Sequence, residues 1–157
     1  MKFQFINIGK PHDDNFKKAI DDFTMRINNY YKAEWLIIPP LKNAASLSTN
    51  NLKELEAQAL LSKINKDDFL VLLDETGKQL TSVELANFIS KQTVAGVRSV
   101  ILLIGGAFGV SDEIKQRANF TWSLSKLVFP HMLARLILAE QVYRACTILR
   151  NEKYHHQ

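Results

Sequence analysis

The 157-residue chain is 46% hydrophobic and 23% charged, a composition typical of a one-domain globular protein. Its longest apolar runs are far shorter than the roughly 20 residues that cross a bilayer, and its single cysteine, Cys146, excludes an internal disulfide. The first apolar stretch is too short for a signal peptide. We therefore expect a single cytoplasmic domain over residues 1–157, with no membrane partner.

The net charge of +4 is unevenly distributed along the chain. The first 112 residues carry 13 basic and 13 acidic side chains, whereas residues 113–157 carry 7 basic and 3 acidic ones. Three of the four histidines, His131, His155 and His156, lie in this last segment. A basic face built from it suits a polyanionic partner, but a solvated face without a partner explains so small a charge equally well.

Hydrophobic periodicity predicts strands and helices that alternate along the chain. A helix is predicted to begin near Asn51 with Glu54 as its capping-box partner, and Thr81 with Glu84 forms a second capping box. The predicted strands cover residues 3–9, 33–40, 69–77, 98–106 and 120–129. The predicted helices cover residues 13–31, 51–64, 81–96, 112–119 and 130–151. This alternation predicts an α/β fold with a mostly parallel sheet and helices on both faces.

Residues 101–111, ILLIGGAFGVS, place a glycine turn after the fourth predicted strand. A dinucleotide fingerprint requires GxGxxG, and a P-loop requires Gly-Lys-Ser/Thr after its glycines. The turn matches neither, because Gly109 is followed by Val110 and Ser111. Taken alone, it is either a ligand-binding turn at the carboxyl end of a strand or a tight turn that needs glycine only for its backbone.

Other catalytic motifs are absent from the sequence, which contains no HExxH, CxxC or GxSxG pattern. The neighbouring His155 and His156 are the candidates for a metal site. Adjacent histidines near the end of a chain are more often solvated, so we expect no metal.

Three stretches together resemble one bacterial family closely. They are LLIGGAFGVS at residues 102–111, WSLSKLVFPHMLARLILAEQVYRA at residues 122–145 and the ending NEKYHHQ. This combination is similar to the ribosomal RNA large-subunit methyltransferase H family, small members of the SPOUT (trefoil-knot) superfamily. The resemblance spans the whole chain and is densest from residue 102 to residue 155.

The resemblance implies both a fold and an activity. The sheet would carry a C-terminal trefoil knot, with the knot region at about residues 102–151. The protein would be a homodimer that uses S-adenosylmethionine to methylate N3 of a pseudouridine in 23S rRNA of the assembled ribosome. The alternative is a non-catalytic rRNA-binding assembly factor whose basic C-terminal face docks RNA.

The resemblance also implies where the cofactor binds. The positions are Leu73, Gly105, Gly106 and the loop of residues 124–129, which consists of Leu124, Ser125, Lys126, Leu127, Val128 and Phe129. Backbone groups would supply much of the binding, and a side chain at either glycine would obstruct the ligand. Family members often carry Pro or Ser followed by an acid or amide where this chain has Ala107-Phe108, so we expect no polar contact from that pair.

The catalytic candidates are His131, Arg144, Tyr154 and His155. A neutral His131, favoured near a helix N-terminus, either accepts the N3 proton or fixes the knot loop. Arg144 either pairs with Glu140 one turn away or contacts an rRNA phosphate or the developing ring anion. Tyr154 and His155 have rings that stack on splayed RNA bases, and the resemblance implies that this tail completes the partner subunit's site. The last helix is apolar on more than one side, so it is either central or packed on a second copy.

Overall fold

The computed structural model describes residues 1–154, and strands and helices alternate along them as predicted. The strands are β1 (Lys2–Ile8), β2 (Lys32–Ile38), β3 (Phe69–Gln79), β4 (Ser99–Ile104) and β5 (Phe120–Ser123). The helices are α1 (Asp14–Ile27), α2 (Thr49–Leu61), α3 (Ser82–Val94), α4 (Asp112–Arg117) and α5 (His131–Leu149). A short 3-10 turn, Ala44–Ser46, precedes α2.

The five strands form one sheet in the order β2-β1-β4-β3-β5, with every neighbouring pair parallel. Helices α1, α3 and α5 pack on one face, where the core includes Phe5, Leu102 and Val142. Helices α2 and α4 cover the other face through a core that includes Leu103 and Ile114. The predicted α/β class, the parallel sheet and helices on both faces are confirmed. The trefoil knot and the single-domain assignment stay predictions.

The helix starts follow local capping chemistry. Thr81 and Glu84 form the predicted capping box at α3, and Gly96 follows that helix with a φ of +76°. The predicted start of α2 near Asn51 was wrong, because the Ser48 hydroxyl accepts a hydrogen bond from the Asn51 amide at 3.3 Å and caps a helix that begins at Thr49. The serine directly before the helix takes the capping position that the sequence offered to the asparagine.

The fifth strand is shorter than predicted. Residues 120–129 read as one extended segment, but β5 ends at Ser123. The Ser123 hydroxyl donates to the carbonyl of Ser125 at 2.9 Å, and the Leu127 amide donates to the Ser125 hydroxyl at 2.9 Å. These side-chain hydrogen bonds give the backbone partners outside a sheet ladder, and residues 124–129 therefore form a loop at the edge of the sheet.

Strand β3 carries an irregularity that brings two backbones together. Leu73 and Lys78 both pair with Trp122 of β5, and the intervening residues leave the ladder. A Cβ atom at Gly77 would lie 2.7 Å from backbone atoms of Thr121 and Trp122. Glycine is required here because the two strands approach too closely for any side chain.

We expect Gly77→Ala to lower the free energy of unfolding by about 1–3 kcal/mol, since the added methyl group must push β5 away from β3. Urea unfolding of the variant and of the parent protein measures this loss. Lys78→Ala, at the adjacent exposed position, is the control and should change stability much less. Equal stability of the two variants would show that the close approach is absent in solution.

Candidate functional site

The carboxyl ends of the parallel strands lie at one edge of the sheet, which is where open α/β folds bind ligands. Two adjoining clefts of about 550 Å³ and 170 Å³ open there, beside the ends of β3, β4 and β5. Both are lined by Leu73, Asp74, Glu75, Ile104, Phe129 and Ala134. We treat the two clefts together as the edge cleft.

The structure brings most of the predicted cofactor positions together around the edge cleft. Its lining includes Leu73, Gly105, Gly106, Leu124, Ser125, Leu127, Val128 and Phe129. Lys126 lies in the same loop, is exposed and does not line either part of the edge cleft. Residues separated by some 50 positions in sequence therefore share one surface.

The loop of residues 124–129 presents apolar side chains to the outside. Leu127 is 71% exposed and Val128 is 84% exposed, and Phe108 across the edge cleft is 59% exposed. Large aliphatic and aromatic side chains gain free energy when they are covered. A cluster of them around a cleft marks a surface that a ligand or another chain covers.

The glycine turn is closed by its own backbone hydrogen bond and packs against other residues of the protein. The Gly109 amide donates to the Gly106 carbonyl at 3.1 Å, and Gly109 has a φ of +80°. A Cβ at Gly105 would lie 2.7 Å from Cγ1 of Val110, and one at Gly106 would lie 2.5 Å from Oε2 of Glu56. A side chain at either glycine would therefore meet Val110 or Glu56 of the protein itself. That it would also obstruct a ligand stays a prediction.

Acidic side chains give the edge cleft a negative region. Burial raises the pKa of Asp74, but hydrogen bonds from the Thr76 hydroxyl at 2.6 Å and the Thr76 amide at 2.9 Å outweigh this effect and hold it below its usual range. Asp74 is therefore ionised at neutral pH, and Glu75 lies beside it. Lys53 and Lys115 also line the larger cleft.

His131 is the predicted catalytic residue that lines the edge cleft. It is the first residue of α5, which begins after Pro130 without a side-chain cap. Burial lowers the pKa of His131, and the positive charge of Arg135 lowers it further. The sequence predicts a neutral His131 ring because of the helix dipole. In the structure, the main reason for a neutral ring is that the imidazole is removed from water.

Arg144 of the same helix and Tyr154, which follows the helix, form a second cluster. The Arg144 Nε donates to Glu140 Oε1 at 2.9 Å, and the Tyr154 hydroxyl donates to the same oxygen at 3.1 Å. The Arg144 guanidinium also lies 4.7 Å from the centre of the Tyr154 ring. The predicted Glu140–Arg144 pairing is present, and it engages Tyr154 as well.

The second cluster is far from the edge cleft of its own chain. Arg144 follows His131 by 13 helical residues, a separation of about 20 Å along the axis at 1.5 Å per residue. The structure therefore places His131 in the edge cleft and the pair Arg144 and Tyr154 elsewhere. His155 lies outside the described residues.

Two buried charged residues near the edge cleft were missed by sequence reasoning. Glu56 is 9% exposed against the glycine turn, and Arg135 is 1% exposed behind the first turns of α5. The available signal for Arg135 was one charged residue within the apolar stretch MLARLILA, residues 132–139. Glu56 had no comparable signal, since an acid on a polar helix usually faces water.

Comparison with known proteins identifies the family. A family model described as "Predicted SPOUT methyltransferase" matches residues 1–155 of the chain. The chain belongs to the SPOUT methyltransferase family. The resemblance inferred from the glycine turn and the last helix is confirmed.

Curated relatives of this SPOUT methyltransferase are similar over their whole length. The proteins from Flavobacterium johnsoniae and Cytophaga hutchinsonii are each 42% identical, covering 100% and 99% of this chain and 100% of each relative. The protein from Trichlorobacter lovleyi is 39% identical over 99% of this chain and 100% of its own length. All three are named Ribosomal RNA large subunit methyltransferase H.

Two negative observations concern residues 1–154. No helix in this part of the chain is long and apolar enough to span a membrane. Within the same residues, histidine, cysteine and acidic side chains form no group of three that could hold a metal ion.

The buried Glu56 predicts a pH dependence of stability. Burial raises the pKa of Glu56 in the folded protein, so the native state retains this proton to a higher pH than the unfolded chain. The contribution of this protonated carboxyl to the stability of the folded protein is fully present below the pKa of the unfolded chain, about 4.3. It is lost as the pH rises through the pKa of the folded protein.

We therefore expect Glu56→Gln to match the parent protein in stability near pH 4 and to exceed it near neutral pH. Urea unfolding across this range measures the difference. Glu54→Gln, on the exposed side of the same helix, is the matched control and should follow the parent curve. A constant offset between Glu56→Gln and the parent at every pH would contradict the buried titration.

Proposed function

We propose that this SPOUT methyltransferase uses S-adenosylmethionine to methylate N3 of a pseudouridine in 23S rRNA of the assembled ribosome, and that it works as a homodimer. The observation that carries the proposal is the convergence of Leu73, Gly105 and the loop of residues 124–129 on the edge cleft. Family membership supports methyl transfer, and the relatives' shared name supports ribosomal RNA as the substrate.

The residues of the edge cleft fit S-adenosylmethionine. Ile104, Leu127 and Phe129 offer apolar contact for the adenosine part, and the ionised Asp74 suits a ligand with positively charged sulfonium and ammonium groups. The glycine turn and the Ser125-linked loop bring backbone amides and carbonyls to the same place. When bound, the cofactor supplies an electrophilic methyl group on a positively charged sulfur.

The protein's own residues must position the target ring and manage its proton. The N3–H of a uracil-type ring is weakly acidic, and its proton must leave when nitrogen bonds to carbon. His131, neutral and lining the edge cleft, is the base that we assign to receive it. A positively charged arginine such as Arg144 stabilises the negative charge that develops on the ring.

The separation of the two clusters supports a homodimer. Within one chain, Arg144 lies about 20 Å along α5 from His131, and the Tyr154 ring packs on Arg144. This pair is therefore too far from His131 to act on the same base. A second copy would bring its Arg144 and Tyr154, with the tail that follows them, to this chain's edge cleft. The partly exposed Leu133, Leu136 and Ile137 on α5 offer an apolar surface for that contact.

The primary test is transfer of labelled methyl groups from S-adenosylmethionine to ribosomes that lack this modification, with free 23S rRNA alongside. We expect label on ribosomes and none on ribosomes whose target pseudouridine is an unmodified uridine. Cofactor binding without any label would mean that the substrate is assigned wrongly. RNA binding with no response to S-adenosylmethionine would favour the assembly factor instead.

Removal of residues 154–157 is expected to abolish methylation while leaving the affinity for S-adenosylmethionine within about twofold, because the cofactor positions all lie upstream. Single-turnover methylation measures the first effect, and calorimetric titration of the cofactor measures the second.

Lys153→Ala is the matched control, since it alters an exposed residue directly before the deleted segment and should retain activity. Full turnover by the truncated protein would show that Tyr154 and His155 are not catalytic residues.

A further inference from the structure

Arg135 is a buried cation without an ionic partner among residues 1–154. It is 1% exposed, and the salt bridges among those residues do not include it. Its Nη1 donates to the Lys10 carbonyl at 3.0 Å and to His12 Nδ1 at 3.3 Å, and it lies 3.5 Å from Met132 Sδ. Its Nε has no hydrogen-bond partner within the described part of the chain.

Such an arrangement is costly. Removing a guanidinium from water is offset only when hydrogen bonds or counter-charges replace its hydration, and burial lowers the pKa of Arg135 accordingly. An apolar side chain of similar length would pack here without that cost. The retained charge and its hydrogen bonds therefore point to a role other than stability.

The contacts of Arg135 join two parts of the chain. Lys10 and His12 belong to the loop between β1 and α1, and the Asp13 amide of the same loop donates to Met132 Sδ at 3.5 Å. Arg135 and Met132 thus fasten the first turns of α5 to this loop. Because α5 begins without a side-chain cap, these contacts replace the usual restraint on a helix start.

The hydrogen bond also determines the state of His12. A guanidinium can only donate, so His12 Nδ1 must accept and the ring must be neutral, with its proton on Nε2. Burial lowers the pKa of His12, and the charge of Arg135 lowers it further. The edge of the ring packs against Trp35, with ring centres 4.9 Å apart, which keeps the acceptor nitrogen in place.

His131 precedes Arg135 by one helical turn and lines the edge cleft. Any fraying of the first turn of α5 would therefore move the imidazole relative to the bound substrate. Catalytic groups lose much of their effect when they are displaced by about 1 Å. The restraint that Arg135 supplies acts on His131, the one catalytic candidate among residues 1–154 that lines the edge cleft.

We propose that Arg135 is a positioning residue, whose guanidinium fastens the start of α5 to the β1–α1 loop and thereby holds His131 in the edge cleft. The inference rests on the proposed methyl transfer for its catalytic consequence. Its structural part, a restrained helix start and an altered His131, concerns the free protein and is tested without any substrate.

Other charged groups also face the edge cleft. They are Lys53 of α2, Asp74 and Glu75 of β3, and Lys115 of α4. None of them changes in the variants below, so a change in His131 titration between those variants reports on Arg135.

The experiment compares Arg135→Met, which removes the charge and the hydrogen bonds, with Arg135→Lys, which keeps the charge but lacks the planar guanidinium group. Arg98→Met is the control, an exposed arginine at the opposite edge of the sheet. Amide hydrogen exchange at Ala134, whose amide donates to the Pro130 carbonyl at 3.0 Å, reports on the helix start. An NMR titration of His131, assigned with His131→Gln, reports on its ring.

We expect roughly tenfold faster exchange at Ala134 in both Arg135 variants and no change in Arg98→Met. The pKa of His131 should rise toward its ordinary value in Arg135→Met and stay close to the parent value in Arg135→Lys. If Arg135→Met does not fold, Arg135→Lys and His12→Phe, which removes the hydrogen-bond acceptor, decide the exchange result. Parent-like exchange at Ala134 in the folded variants would overturn the proposal.

The catalytic consequence is measured on ribosomes. We expect a lower kcat with little change in the KM for the cofactor, and a shift of the acidic limb of the kcat profile to higher pH in Arg135→Met alone. Loss of kcat and cofactor affinity together, with unchanged exchange, would indicate a merely structural defect. Absence of methylation by the parent protein would refute the proposed function, while exchange and titration would still decide the role of Arg135.

Discussion

Strand β3 lies between β4 and β5, and its parallel pairing with both determines where the edge cleft forms. Leu73 is in register with Ile104 on one side and with Trp122 on the other. β4 ends at Ile104, β5 ends one residue after Trp122, and β3 leaves its ladder after Leu73. The segments that follow these points therefore meet although they are far apart in sequence. The close approach at Gly77 holds β5 against β3 beyond this point. The loop of residues 124–129 therefore lies beside the cleft and lines it.

The edge cleft combines features that are individually ordinary. Its backbone is irregular, but serine hydroxyls provide hydrogen bonds that a ladder would otherwise supply. An ionised Asp74 and a neutral His131 share the same space because one is hydrogen-bonded by Thr76 and the other is withdrawn from water. Both pKa values are lowered, which keeps Asp74 charged and His131 neutral, and each shift has a separate local cause. Perturbed pKa values among neighbouring groups are a common property of active sites.

Helix α5 connects the edge cleft with the second cluster of candidate residues. It carries His131 at its first position, buries Arg135 and the core residue Val142 along its length, and holds Arg144 near its end. A rigid helix keeps these groups at fixed spacing, which prevents Arg144 from reaching the edge cleft of its own chain. The same rigidity would position them accurately across a symmetric interface, where each copy would complete the site of the other.

The secondary-structure elements and the family could be predicted from the amino-acid sequence. Hydrophobic period, the Thr81–Glu84 capping box and the motifs of residues 102–145 depend on neighbouring residues, and these predictions were confirmed. The tertiary structure alone decided the strand order, the end of β5 at Ser123 and the burial of Glu56 and Arg135. Burial and pairing depend on which segments become neighbours in space, and local patterns of hydrophobicity carry no information about the partner that a side chain will meet.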